Sequence, residues 1–274
     1  MQVRRLFACR IPVMRTVVYI DGFNLYYRAL RESRHKWLNL HALCEAALPQ
    51  TCDIVAINYY TARVSGSRNP NSPKDQNTYL KALGTLPNLH IHFGNFQVTK
   101  TWMPLVQPLQ FWPPGVAPHP VPDSVRVVKT EEKGSDVNLG THLVRDAFAG
   151  AFEHAVIVTN DTDLKEPMRI VVDEAGLPVT LLTPASNPAL TLRTLASDVR
   201  HLAPYLGVSQ FPDPVIGPEG KLIAKPVDWQ GQAVVSVVDL TRKPGEMPRF
   251  QCKRIHNSSA LHNFVGNFAV MGIR

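Results

Sequence analysis

Cysteine is scarce. The 274 residues hold four, Cys9, Cys44, Cys52 and Cys252, and no two are separated by only two residues. That spacing argues against a zinc ribbon and a disulfide scaffold, and it fits a reducing compartment, so a cytoplasmic location is expected. Long hydrophobic runs are missing too. No apolar stretch approaches the roughly 18 residues of a membrane-spanning helix. Charged residues make up only 19% of the chain against 45% hydrophobic ones, which supplies a core and excludes global disorder. At about 100–200 residues per domain, this length allows one large domain or two small ones.

Acid is absent from residues 1–15, which carry Arg4, Arg5, Arg10 and Arg15. Residues 207–274 add eight Lys/Arg against five Asp/Glu, and residues 16–206 hold 17 of each sign. The net charge of +7 therefore belongs to the ends of the chain. It can help to hold a polyanion but says little about the middle. Arg10 interrupts the apolar stretch LFACRIPVM, which makes a poor secretory signal. Two readings stay open: a short mitochondrial transit piece, or an early start with Met14 just ahead of the first strand. The expected organisation is a disordered extension over 1–13, a domain over 14–206 and an irregular tail over 207–274.

Within 14–206, short apolar runs alternate with helical patterns. Strands are expected over Thr16–Asp21, Asp53–Thr61, Leu89–Gln97, Ser124–Lys129, Ala155–Thr159 and Val179–Leu182. Helices are expected over Leu25–Arg34, Leu38–Leu48, Ser72–Leu86, Ser135–Ala149 (Ser135 as N-cap), Leu164–Glu174 and Leu190–Ser197. Asp163 and Glu166 have the spacing of a capping box. Strands that read as runs, separated by helices, mark an α/β fold whose parallel sheet is covered on both faces. Residues 104–122 contain seven prolines and read as a long loop. In the tail only Ala233–Val238 reads as a strand.

Carboxylates recur at the ends of these elements. Asp21 closes the first strand, Asp161 and Asp163 follow the strand at 155–159, and Asp136 opens a helix. Ligands of open parallel sheets bind outside the carboxyl ends of the strands. If the strands at 16–21 and 155–159 are neighbours, four acids meet there. Carboxylates so close repel unless a cation intervenes, and all-oxygen sites suit Mg²⁺ or Mn²⁺ with substrate phosphate. Two such ions activate water and stabilise the leaving oxygen of a phosphodiester. An aspartate at a strand–helix junction is also an ordinary N-cap, the competing explanation for Asp163 above all.

Neighbouring residues extend the candidate site. Asn24 can orient water or simply close a turn. Thr159 and Asn160 can bond the acids or a substrate, and they also suit turn chemistry. Arg63 and Lys133 are candidate phosphate contacts, with a solvated surface charge as the plain alternative. Trp102, Phe111 and Trp112 can stack on bases or pack locally. His90 and His92 read as ordinary strand residues.

The segments Tyr19–Leu25 (YIDGFNL), Tyr59–Arg63 (YYTAR), Glu132–Asn138 (EKGSDVN) and Thr159–Leu164 (TNDTDL) resemble NYN-domain proteins of the PIN-like nuclease group, in order and spacing over about 14–206. The resemblance implies a three-layer Rossmann-like domain with a mainly parallel sheet, and metal-dependent endoribonuclease activity on RNA, expected to be single-stranded. It carries a metal-ligand role onto Asp21, Asp136, Asp161 and Asp163, with Asn24 as a supporting polar group. Where some relatives have a further carboxylate on the helix, this chain has His142, with Asp146 one turn on. The alternatives are an RNA-binding or scaffold module without turnover, and a metal-dependent phosphatase. The phosphatase motif needs a second acid where Phe23 stands, and a Toprim-type site needs Glu on the first strand.

Overall fold

The computed structural model describes residues 13–66, 69–106, 109–110, 120–230, 234–238 and 250–254. Seven strands form one sheet: β1 (Met14–Asp21), β2 (Cys52–Ala62), β3 (Leu89–Pro104), β4 (Ser124–Lys133), β5 (His154–Val158), β6 (Val179–Thr183) and β7 (Asp198–His201). Their order is β4-β3-β2-β1-β5-β6-β7, and every pairing is parallel except β3 with β4. Both parities of β1, β5 and β6 are buried, as the apolar runs require of a doubly covered sheet.

The crossovers are helical: α1 (Gly22–Leu25) and α2 (Leu40–Ala47) between β1 and β2, α3 (Ser72–Leu83) before β3, α4 (Ser135–Phe148) before β5, α5 (Lys165–Arg169) before β6, and α6 (Leu190–Arg193) before β7. One face of the sheet packs Tyr19, Ile157 and Leu181 with Leu139 and Leu143 of α4 and Met168 of α5. Among the described residues no helix is long and apolar enough to cross a membrane.

Several elements depart from the sequence reading. The first helix begins at Gly22, because the Asp21 side chain caps it, and it continues through the π-turn Tyr26–Leu30. Asn39 caps α2, so Leu38 lies outside the helix. Segment 190–197 yields only the short α6, and the chain then forms the edge strand β7. Strands β3 and β4 run on as one antiparallel ribbon, and past its last strand pair the Leu105 N–H donates to the Asp123 carbonyl at 3.1 Å. Phe111 and Trp112 lie outside the described residues.

The compact unit continues past 206 to Lys225. Its extension returns to the start of α2. Asn39 N–H donates to Ser209 O (2.8 Å), Phe211 N–H to Trp37 O (3.0 Å) and Trp37 Nε1–H to Pro212 O (3.0 Å). Phe211 and Val215 are buried there. A second unit, Pro226–Arg274, contains the antiparallel pair Val234–Val238 and Phe250–Arg254.

Candidate active site

The chain leaves β1 to build β2, β3 and β4 on one side and returns to β5 on the other, so the sheet switches direction between β1 and β5. Ile20 pairs with Val158, which sets Asp21 beside the loop that opens at Thr159. The Asp21 carboxylate is only 4% exposed. Its Oδ1 accepts from Asn24 N–H (2.9 Å) and its Oδ2 from the Thr159 hydroxyl (3.0 Å). The Thr159 hydroxyl oxygen also accepts from Asp161 N–H (3.1 Å), and Asn24 Oδ1 accepts from Asn160 N–H (2.9 Å). Two of these four bonds, Thr159 to Asp21 and Asn160 to Asn24, tie the strand ends together, and the other two brace the turn at each end.

The third approach comes from β4 into α4. Gly134 sits at the N-cap with φ +95°, a left-handed conformation that favours glycine, so Ser135 is the first helical residue rather than the cap. Glu132 supplies the capping oxygen, its Oε1 accepting from Ser135 N–H at 3.0 Å. The same turn points Asp136 at the sheet edge. Gly94 of β3 leaves space for it: a Cβ there would overlap Glu132 Oε1 and approach Lys133 O to 2.8 Å.

A cavity of about 180 Å³ results, lined by Asp21, Asn24, Asp136, Asp161 and Glu132, with Phe23, Tyr27 and Arg28 completing the wall. Burial pushes the Asp21 carboxyl up to about 7, assisted by the charges of Asp136 and Asp161 and opposed by the bonds from Asn24 and Thr159. Burial also raises Asp136, to about 6, and Glu132, Asp161 and Asp163 add to the rise. These raised values are the signature of carboxylates short of positive charge. The donor set is entirely hard oxygen and fits Mg²⁺ or Mn²⁺. Among the described residues no three acidic, imidazole or thiol groups are already gathered at coordinating distance, so the donors fit in chemistry while their final closure is not preformed.

Asp21, Asn24, Asp136 and Asp161 share this cavity; Asp163 does not. Asp163 is exposed and lines the neighbouring groove between α4 and α5, together with Glu132 and Asp136. The expected capping box is not formed. Asp161 caps the turn by accepting from Asp163 N–H (3.1 Å), and Glu166 pairs with Arg169. Thr159 is fully buried and spent on Asp21 and Asp161. The Asn160 side chain accepts from Ala189 N–H at 2.8 Å. Both side chains brace the loop. Arg63 lies over the Phe93 ring at 4.7 Å, and Lys133 is exposed but outside the cavity lining.

Glu132, Arg28, Phe23 and Tyr27 escaped the sequence reading as site residues. Glu132 could have been found from the Glu-Lys-Gly-Ser-Asp run, where a glycine turn folds two acids together. Arg28 lies one helical turn after Asn24, a relation hidden by starting the helix at Leu25. Asp146 does not replace the missing helix carboxylate, because it accepts from the Tyr19 hydroxyl (2.8 Å) and pairs with Arg145. His142 bonds the Tyr60 hydroxyl at 2.9 Å. A further acid in the cavity lining, Glu132, comes from the strand before the helix.

The NYN domain family model matches residues 15–202, which contain every residue of this cavity. The chain belongs to the NYN-domain family. This is a nuclease-related family, and the α/β fold with its mainly parallel sheet agrees with it. The chain is also 31% identical over 244 residues to 6-hydroxy-3-succinoylpyridine 3-monooxygenase HspA of Pseudomonas putida, covering 80% of this chain and 76% of that protein. A crystal structure of a protein of unknown function from Vibrio parahaemolyticus is similar at 14% identity and a TM-score of 0.42, over 69% of this chain and 93% of that one.

Proposed function

We propose that this NYN-domain protein is a metal-dependent endoribonuclease that hydrolyses phosphodiester bonds of single-stranded RNA in a reducing compartment such as the cytoplasm. The observation that carries the reading is the cavity at the sheet switch, where Asp21, Asp136, Asp161 and Glu132 meet with two carboxyl groups held well above their ordinary range. Asp21, Asp136 and Asp161, joined by Glu132, would hold Mg²⁺ or Mn²⁺, with Asp163 contributing from the rim. A bound ion supplies positive charge against the scissile phosphate and acidifies water. Thr159 and the Asn24 backbone fix both oxygens of Asp21 so that its carboxylate keeps one orientation. Asn24 is itself held by Asn160 N–H, which locks the loop that carries Asp161. Arg28, exposed on the wall, meets a phosphate oxygen. The test is cleavage of generic RNA with Mn²⁺, with loss expected in Asp21→Asn and in EDTA.

A second reading has its own observation. Phe23 and Tyr27 stack at 6.3 Å between centroids beside the acids, a surface suited to a flat ring, and the monooxygenase relative is named for a substituted pyridine. Oxygen uptake with 6-hydroxy-3-succinoylpyridine and a reduced nicotinamide, in the absence of RNA cleavage, would favour it.

A further inference from the structure

Pairing of β3 with β2 ends at Gly94. Beyond it, Asn95 to Pro104 pair with Lys133 to Ser124 without a register shift. Residues directly opposite in an antiparallel pair share a face. Val98, Lys100 and Trp102 therefore lie with Arg126, Val128 and Glu132. Over Val98–Met103 and Val125–Lys129 exposure follows the same parity, although Gln97 on the opposite face is also exposed. Val98, Lys100, Trp102, Arg126 and Val128 are exposed, Trp102 by 66%, whereas Thr99, Thr101, Met103, Val125, Val127 and Lys129 on the opposite face are half-buried.

Charge separates the faces as well. Lys129 is paired with Glu131. Among the described residues neither Lys100 nor Arg126 is in an ion pair, and no acid stands on their face before Glu132. Glu132 lines the acidic cavity. It is six residues from Arg126 along β4, about 20 Å at roughly 3.3 Å per residue. A few nucleotides of extended strand span that length. A large exposed aromatic between unneutralised cations is the composition of a single-strand binding groove, where bases stack and the backbone is tracked by charge.

We propose that the free face of the β3–β4 ribbon is a docking track for single-stranded RNA, with Trp102 stacking on a base and Lys100 and Arg126 meeting phosphates, leading the strand to the cavity at Glu132. The identity of the strand rests on the nuclease reading; the track itself rests on the ribbon.

The experiment measures anisotropy of a fluorescein-labelled oligouridylate of about 12 nucleotides on the full chain in EDTA, followed by cleavage of the same RNA in Mn²⁺. Trp102→Ala is expected to weaken binding about tenfold, a loss in the range of one base stack, and Trp102→Phe to restore most of it. The Lys100→Ala/Arg126→Ala variant is expected to reduce the slope of log affinity against log salt by about 1.4, the value for two phosphate contacts on a single strand. All these side chains are exposed, so unchanged melting temperatures serve as the folding control. Wild-type affinity and slope in every variant, or no RNA binding by wild type, would overturn the track. So would a change of oligomeric state in place of RNA affinity, which would mark the face as a protein interface. Binding that falls as expected in a protein that never cleaves RNA upholds the track and defeats the nuclease reading instead.

Discussion

Asp21 shows how one residue serves two ends. Its side chain caps α1 and simultaneously faces the acidic cavity. The capping explanation, weighed for Asp163 in the sequence, belongs to Asp21 and Asp161, both of which also line the cavity. The folded carboxyl of Asp21 titrates near 7 against an ordinary 3.8, so the fold binds that proton more tightly than the unfolded chain does. Ionising it costs stability, and without metal the stability contribution falls as pH rises from about 3.8 towards 7. In EDTA at pH 8, Asp21→Asn is expected to melt higher than wild type. At about 1.4 kcal/mol per pKa unit the gain is at most of the order of 4 kcal/mol. The gap should close near pH 4 in a pH series of thermal melts, and a wild type as stable as the variant at pH 8 would refute the burial argument. Gly94 carries a second residue-scale prediction. Gly94→Ala crowds the Glu132 carboxylate, so RNA cleavage is expected to drop at least tenfold while Gly84→Ala, whose nearest added contacts are an ordinary 3.5 Å, changes it little. Equal activities in the two variants would mean that Glu132 has no part in the site.

At the scale of elements, α4 is placed by polar bonds as much as by Leu139 and Leu143. Tyr19 of β1 donates to Asp146, and Tyr60 of β2 bonds His142 while stacking on His92 at 4.8 Å. Tyr19→Phe removes the donor to Asp146 and is expected to cost about 1 kcal/mol by denaturant melts, a typical net hydrogen bond. Because α4 also carries Asp136, a fall in cleavage larger than the fall in stability would reveal that this bond positions the acid as well. The β–α alternation was legible because apolar runs and helical periods are local. The ribbon was not. Its strands read as Leu89–Gln97 and Ser124–Lys129 because the outer residues, VTKTWMP after Gln97 and TEEK after Lys129, offer neither an apolar run nor a clean polar–apolar alternation. Likewise Asp21, Asp136 and Asp161 were identifiable by their places at element ends, whereas Glu132 needed the left-handed turn at Gly134 to bring it round.

On the scale of the whole molecule, the segment after 206 belongs to the nuclease-related unit. Nothing periodic marks it, since it docks through bonds to main-chain carbonyls, one of them donated by the Trp37 indole, and the ring contact of Trp37 with Phe211 at 5.6 Å. Ending the chain at 206 removes Phe211 and Val215, which at about 1.5–3 kcal/mol per buried side chain costs roughly 3–6 kcal/mol, and it also uncovers Trp37. Ending it at 230 is expected to leave the melting temperature of the domain unchanged, and a scan of the two truncations distinguishes this boundary from one at 206.

If cations at the Asp21–Asp136–Asp161 cavity make the protein cut RNA, cleavage depends on both the ion and Asp21. End-labelled single-stranded RNA incubated with purified wild type and Asp21→Asn, each with Mn²⁺ and with EDTA, tests it directly. Internal fragments with wild type and Mn²⁺ alone are the predicted result. Fragments of equal yield from Asp21→Asn, or intact RNA in every lane with a folded wild type, would contradict it.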